Sequence, residues 1–183
     1  MKNFILGVTF ALIVSAIVVI VSVKKGYVDF AADQAPSAIE AKLAMEAVDA
    51  STDRRAPERT NPVAPTKENL ASGAKLYLDH CAGCHGVPSN PDSQFAKSFY
   101  PPAPGFFHDT PDMADNENFY IVRHGIRWTG MPSWDQTLSE QQTWQIVTFL
   151  SNIEKLPADA LAVFGPRPAP ATSSHFMTMP MSH

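Results

Sequence analysis

Cysteine is scarce in this 183-residue chain: Cys81 and Cys84 are the only two. A cysteine zinc site would normally draw on a second Cys/His pair, and that pair is missing. Positive charge is in short supply as well. Fourteen lysines and arginines stand against eighteen acids, giving a formal net charge of −4 and a pI of about 5.8. A nucleic-acid partner would want a basic face, so that class is excluded. No run of like charge is long enough to act as a binding tail. Nothing reads as a β-strand, which removes the βαβ setting of a thioredoxin-like dithiol and leaves an all-α expectation. The length suits one domain with extensions rather than two. The 16 prolines fall mostly in the stretches flanking the two cysteines, which therefore read as linkers.

One apolar run stands out. Phe4 to Val23 is 20 residues without a charge, FILGVTFALIVSAIVVIVSV, long enough to cross a bilayer core as a single helix. It is longer than the apolar part of an ordinary export signal and has no small-x-small cleavage site at its end. Residues 1–25 are therefore expected to be an uncleaved single-pass transmembrane anchor, with a cleavable signal as the alternative; both imply export. Residues 26–65 read as a linker. Within it Ser37 and Glu40 make a capping-box signature. Ile39, Leu43 and Ala47 follow at four-residue spacing, so a short solvated helix is expected to about Ala50. Ala56 to Pro65, with three prolines, reads as an extended spacer.

The two cysteines lie together in Cys81-Ala82-Gly83-Cys84-His85. C-x-x-C-H is the pattern of c-type haem attachment. Each thiol adds across one haem vinyl group to give a thioether, and two intervening residues let both sulfurs reach both vinyls from one turn of chain. The adjacent His85 then supplies the proximal nitrogen to the iron. One covalently attached haem c is the expected cofactor. Lys24 and Lys25 run against the positive-inside preference for an exported C-terminus. Haem attachment outweighs them, because in bacteria it takes place outside the cytoplasm. The expected location is the inner membrane, single-pass, with the haem domain on the periplasmic side.

A compact domain is expected over residues 66–157. Thr66 is its N-cap, and Leu70, Ala74, Tyr77 and Cys81 follow at helical spacing with Gly73 on the same side. A glycine there costs a helix about 1 kcal/mol, which points to close approach by another helix. A proline-rich connection follows His85, including Tyr100-Pro101-Pro102-Ala103-Pro104-Gly105. Asp115 is expected to cap a second helix carrying Phe119, Tyr120 and Val122, stopped by Gly125. After the loop Ile126 to Trp134, Ser139 with Gln142 opens a third helix to about Ile153, carrying Trp144, Val147, Phe149 and Leu150. Pro157 marks the end. Residues 158–183 read as a disordered Pro/Ala/Met-rich tail. Its His175, Met177, Met179, Met181 and His183 would suit Cu(I), an unliganded tail being the plainer reading.

A haem held by one histidine has an open axial position. Met131, in a Gly-Met-Pro turn before the last helix, leads for it; His124, His108, His80 or no ligand are the alternatives. Gly73-Ala74-Lys75-Leu76-Tyr77, Cys81 to Gly86, Gly125-Ile126-Arg127, Gly130-Met131-Pro132 and Trp144 to Leu150, in that order, resemble a class I c-type cytochrome of the bacterial membrane-anchored monohaem kind. The resemblance covers about Thr66 to Leu156. It implies a class I cytochrome c fold, with Gly73 and Tyr77 of the first helix meeting Phe149 and Leu150 of the last. It also implies that a loop proline carbonyl accepts or orients the hydrogen bond from His85 Nδ1–H, with Pro101, Pro102 and Pro104 as candidates.

A six-coordinate His/Met haem moves electrons singly and needs no catalytic residue. The expected role is an electron carrier between a redox-protein donor and acceptor of a respiratory chain, such as a dehydrogenase and an oxidase, with no small-molecule substrate. A haem sensor or small peroxidase-like enzyme with a labile sixth ligand is the competing class, and a subunit of a dehydrogenase or oxidase complex a third. Asp109, Asp112, Asp115 and Glu117 form an acidic cluster that would either steer a basic partner or simply start a helix.

Overall fold

The computed structural model describes residues 1–165. The described chain divides into two compact units, Met1–Gln34 and a second that begins at Ala35. The first is built on α1 (Lys2–Lys24), apolar all round with no buried residue. At 1.5 Å per residue its 23 residues reach about 34 Å, enough for a hydrocarbon core of about 30 Å. The helix is long and apolar enough to cross a membrane.

The second unit opens with α2 (Ala38–Arg55), where the Ser37 hydroxyl accepts the Glu40 N–H at 3.2 Å. The helix passes the expected end near Ala50 because Arg55 folds back onto Ser51, 3.0 Å from its hydroxyl, and Thr52 is buried. Nor is α2 fully solvated: the Tyr100 hydroxyl donates to Glu40 at 2.7 Å. The spacer expected over Ala56 to Pro65 is a strap on the domain instead. Arg59 pairs with Glu140 at 2.8 Å and lies over the rings of Phe119 and Trp144. Asn61 donates to Asp115 at 2.9 Å and to Thr148 at 3.0 Å, while Val63 packs on Phe119, Trp144 and Val147. Thr66 therefore begins a helix but not the folded unit. Proline spacing reports local stiffness and says nothing of what Arg59 and Asn61 will meet.

The haem-motif domain follows as α3 (Lys67–His80), α4 (Ala82–His85), α5 (Asp115–His124), α6 (Glu140–Leu150) and α7 (Ala158–Ala162). Short 3₁₀ turns lie at Ala96–Ser98 and Ile153–Lys155. Among the described residues there is no strand, only an isolated bridge between Val87 and Asn90. Thr66 caps α3 and the Ser139–Gln142 capping box opens α6, as the sequence predicts. Ala114, not Asp115, is the N-cap of α5; its N–H donates to Glu117 at 2.9 Å. Asp115 instead receives Asn61 and the Ser151 hydroxyl.

The core forms where α3 packs on α6. A Cβ added at Gly73 would lie 2.3 Å from the Gln145 carbonyl oxygen and 2.8 Å from Phe149 Cβ, which is the close approach the sequence implied. Tyr77 meets Phe149 with ring centroids 4.9 Å apart, both rings fully buried. Burying a phenylalanine of this kind is worth about 2–3 kcal/mol. Pro157 does not end the domain. It is the N-cap of α7, whose Ala160 is buried, and beyond it Phe164 stands edge-on to Phe107 at 5.4 Å. The tail boundary at residue 158 is thus too early by one short helix, which is too brief to show a periodicity. His175, Met177, Met179, Met181 and His183 lie outside the described residues.

Candidate haem site

The attachment motif is the continuation of α3. The Cys81 N–H donates to the Tyr77 carbonyl at 2.8 Å, and Cys84 and His85 donate to the Cys81 carbonyl at 3.0 and 2.9 Å. One helical turn therefore carries both cysteines and the histidine. Both thiols are free and half-buried. Burial, with Cys84 adding a smaller effect, pushes the Cys81 thiol up to about 12, and burial raises Cys84 as well.

His85 is buried, and burial holds it below the usual histidine range against the opposing pull of Pro104. Its Nδ1 lies 2.8 Å from the Pro104 carbonyl oxygen. A carbonyl can only accept, so the proton sits on Nδ1 and the Nε2 lone pair is uncommitted. Of the three candidate prolines the structure selects Pro104. Phe106 stacks on the imidazole at 4.1 Å and 6° and donates its N–H to the His85 carbonyl at 3.2 Å. The buried Tyr77 hydroxyl lies 3.0 Å from the His85 carbonyl oxygen and 2.9 Å from that of Gly86. Phe106 escaped the sequence reading. Its only signal was its place two residues beyond Pro104.

Met131 sits half-buried in a loop that closes on itself. Ile126 donates to the Met131 carbonyl at 3.1 Å. The Thr129 hydroxyl donates to the Ile126 carbonyl at 2.8 Å and accepts the Met131 N–H at 3.1 Å. Gly125, at φ +68°, has the Met131 and Pro132 backbone so close that a Cβ would fall within 2.7 Å of it; no other residue fits there. The competing histidines each have another neighbour. His124 is exposed and packs on Tyr120 at 4.6 Å, His108 is exposed and 3.2 Å from Asp92, and His80 packs on Trp134 at 5.2 Å.

The residues fit a covalently bound haem. The free thiols and the uncommitted His85 Nε2 would supply its attachment and one bond to its iron. In addition, Arg123 Nη1 and Trp134 Nε1 are buried without a hydrogen-bond partner among the described residues. Arg123 and Trp134 are adjacent in space, the Trp134 backbone N–H donating to the Arg123 carbonyl at 3.2 Å, and Trp134 packs on His80 beside the Cys81–His85 turn. An orphaned buried donor costs about 1–3 kcal/mol, and propionate carboxylates are acceptors of the right kind. Trp144 Nε1 is likewise unpartnered, but it lies against Phe119. Among the described residues no group of three or more His, Cys, Asp or Glu side chains could hold a metal ion by themselves, so the zinc reading of the cysteines gains nothing.

The acidic cluster is only half free. Asp115 and Glu117 are engaged within the fold, which leaves Asp109 and Asp112 exposed.

Residues 68–150 match the family model described as cytochrome c oxidase, cbb3-type, subunit III, and this part of the chain is a class I-like c-type cytochrome domain. A chain in a solved Kuenenia stuttgartiensis reducing HAO-like protein complex is 22% identical with a TM-score of 0.45, over 53% of this chain and 50% of that one. The chain thus spans half the length of that solved relative. No curated protein matches it.

Proposed function

We propose that this cytochrome c domain carries one haem c, joined through Cys81 and Cys84, with His85 as proximal and Met131 as distal ligand, and that it passes single electrons between redox proteins of a respiratory chain. The observation that carries the reading is the His85 Nδ1–Pro104 hydrogen bond at 2.8 Å beside two free thiols. When bound, the haem supplies the one-electron chemistry. The chain's own residues do the rest. Pro104 holds the Nδ1 proton and makes Nε2 a better donor, while Phe106 and Tyr77 fix the ring and its backbone. A methionine thioether opposite favours the reduced iron and raises the potential. No residue is assigned a catalytic role. His124 and Arg127 do not make a distal acid–base pair: both are exposed, and Arg127 lies over Trp128.

α1 anchors the domain to the outer, periplasmic face of the inner membrane in this reading. The protein then stays with membranes through carbonate washing, and a chain starting at residue 26 behind a cleavable signal is released as a coloured soluble protein. A native N-terminus beyond Val23 would make the segment a signal peptide. The family description, which names an oxidase subunit, favours a standing partner of the oxidase type; copurification tests it. The reading as a whole is tested by optical redox titration. A single one-electron wave and no carbon monoxide binding by the reduced native protein are expected. Ready carbon monoxide binding would move the protein to the sensor or peroxidase class.

A further inference from the structure

Trp128 is the one non-glycine residue among the described residues with a positive φ, +63°, and it is 90% exposed. A bulky side chain rarely accepts that backbone, and a residue so exposed gains nothing from burial within its own chain. Such strain persists where a surrounding structure enforces it, and it clusters at functional sites. Here the enforcing structure is the loop closed by Thr129 between Ile126 and Met131. A second apolar element abuts that loop. The Phe99 ring lies so close to Gly130 that a Cβ there would fall 2.6 Å from it, and Phe95, 61% exposed, stands edge-on to Phe99 at 4.8 Å.

The two stretches that carry these rings differ in charge from the domain as a whole, although Asp92 precedes the first of them and Glu40 accepts from its Tyr100. Residues 66–157 carry ten carboxylates against six lysines and arginines, whereas the two stretches 93–102 and 124–134 carry Lys97, Arg127 and His124 and no carboxylate at all. Arg127 is placed over the Trp128 ring at 6.0 Å, and the next acid along, Asp135, is already paired with Arg123. An exposed tryptophan and arginine side by side is the composition of an interface anchor rather than of ordinary surface.

Resting on the electron-carrier reading, we propose that the Trp128–Phe95 face is where a redox partner docks, and that the partner is a protein with an apolar centre and a carboxylate rim. This reverses the charge expected from the Asp109–Glu117 stretch. The tryptophan seats the partner, and Arg127 and Lys97 steer it. One electron then leaves the reduced domain and reduces the partner's metal by one unit.

The test uses the reduced full chain in zwitterionic nanodiscs, mixed separately with hexacyanoferrate(III) and with an oxidised acidic blue-copper protein. Both second-order rates should fall as ionic strength rises, although the domain is net negative. Trp128→Gly removes the ring and relieves the backbone together. It should slow the copper protein about tenfold and hexacyanoferrate less than about twofold, with the reduction potential unchanged. Arg127→Gln with Lys97→Gln should flatten the salt dependence for both oxidants. A copper-protein rate untouched by Trp128→Gly, or rates that climb with salt, overturns the proposal. So does a wild-type reaction suppressed in anionic nanodiscs and restored by Trp128→Gly, which would assign the face to the lipid surface. A wild-type protein that reduces neither oxidant breaks the electron-carrier reading itself.

Discussion

His85 and Met131 are held in unlike ways. The histidine is fixed by residues from before, within and after its own turn: Tyr77 and Phe106 on its carbonyl and ring, Cys81 on its N–H, Pro104 on Nδ1. The methionine belongs to a loop bonded mainly to itself, through Ile126 and Thr129, and that loop carries an exposed, strained Trp128. The surroundings of His85 are thus part of the core between α3 and α6. The Met131 loop is a separate, shallower unit of the kind that opens at low cost. Loss of a hydrogen bond around His85 should therefore register as global stability, and loss of one that closes the Met131 loop as lability of that loop.

The largest expected effect is on attachment. Replacing Cys81 and Cys84 by alanine should abolish haem that survives a denaturing gel, and any haem stain left on that band would contradict the motif. Next is Gly73→Ala, which drives a methyl into the Gln145 carbonyl and Phe149 and should cost about 2–3 kcal/mol in denaturant unfolding. A loss below about 0.5 kcal/mol, the ordinary surface range, would mean that α3 and α6 are not so close. Tyr77→Phe removes the buried hydroxyl beneath the proximal turn and should cost about 1–2 kcal/mol. Its counterpart in the Met131 loop is Thr129→Val. That change should cost about 1 kcal/mol or less and yet let carbon monoxide enter faster than in Tyr77→Phe. If the two variants behave alike in both assays, the two sides are not distinct.

The single turn that carries Cys81, Cys84 and His85, the caps of α3 and α6 and the role of Gly73 were legible because each is a local pattern. Cysteine spacing, a serine three residues before a glutamine and a glycine on an apolar stripe all signal within one or two turns. What escaped depended on distant partners. Three loop prolines were equivalent in sequence, and only the folded chain brings Pro104 to His85. Asp115 looked like a cap and is instead a tie between α5, the strap and Ser151. The strap itself is polar and proline-rich, yet Arg59 and Asn61 bind it down through aromatic faces and side chains more than fifty positions away. The acidic stretch suggested a docking charge that its internal hydrogen bonds partly use up.

The central claim is that Met131 completes a haem held by His85, and the most direct measurement is the near-infrared spectrum of the oxidised full chain beside that of Met131→Ala. The account predicts the weak iron–thioether charge-transfer band in the native protein. In the variant the band should be lost, the potential should fall by on the order of 0.1 V, and the haem should still be covalently attached. A variant that keeps the native band and potential would show that another group holds the sixth position.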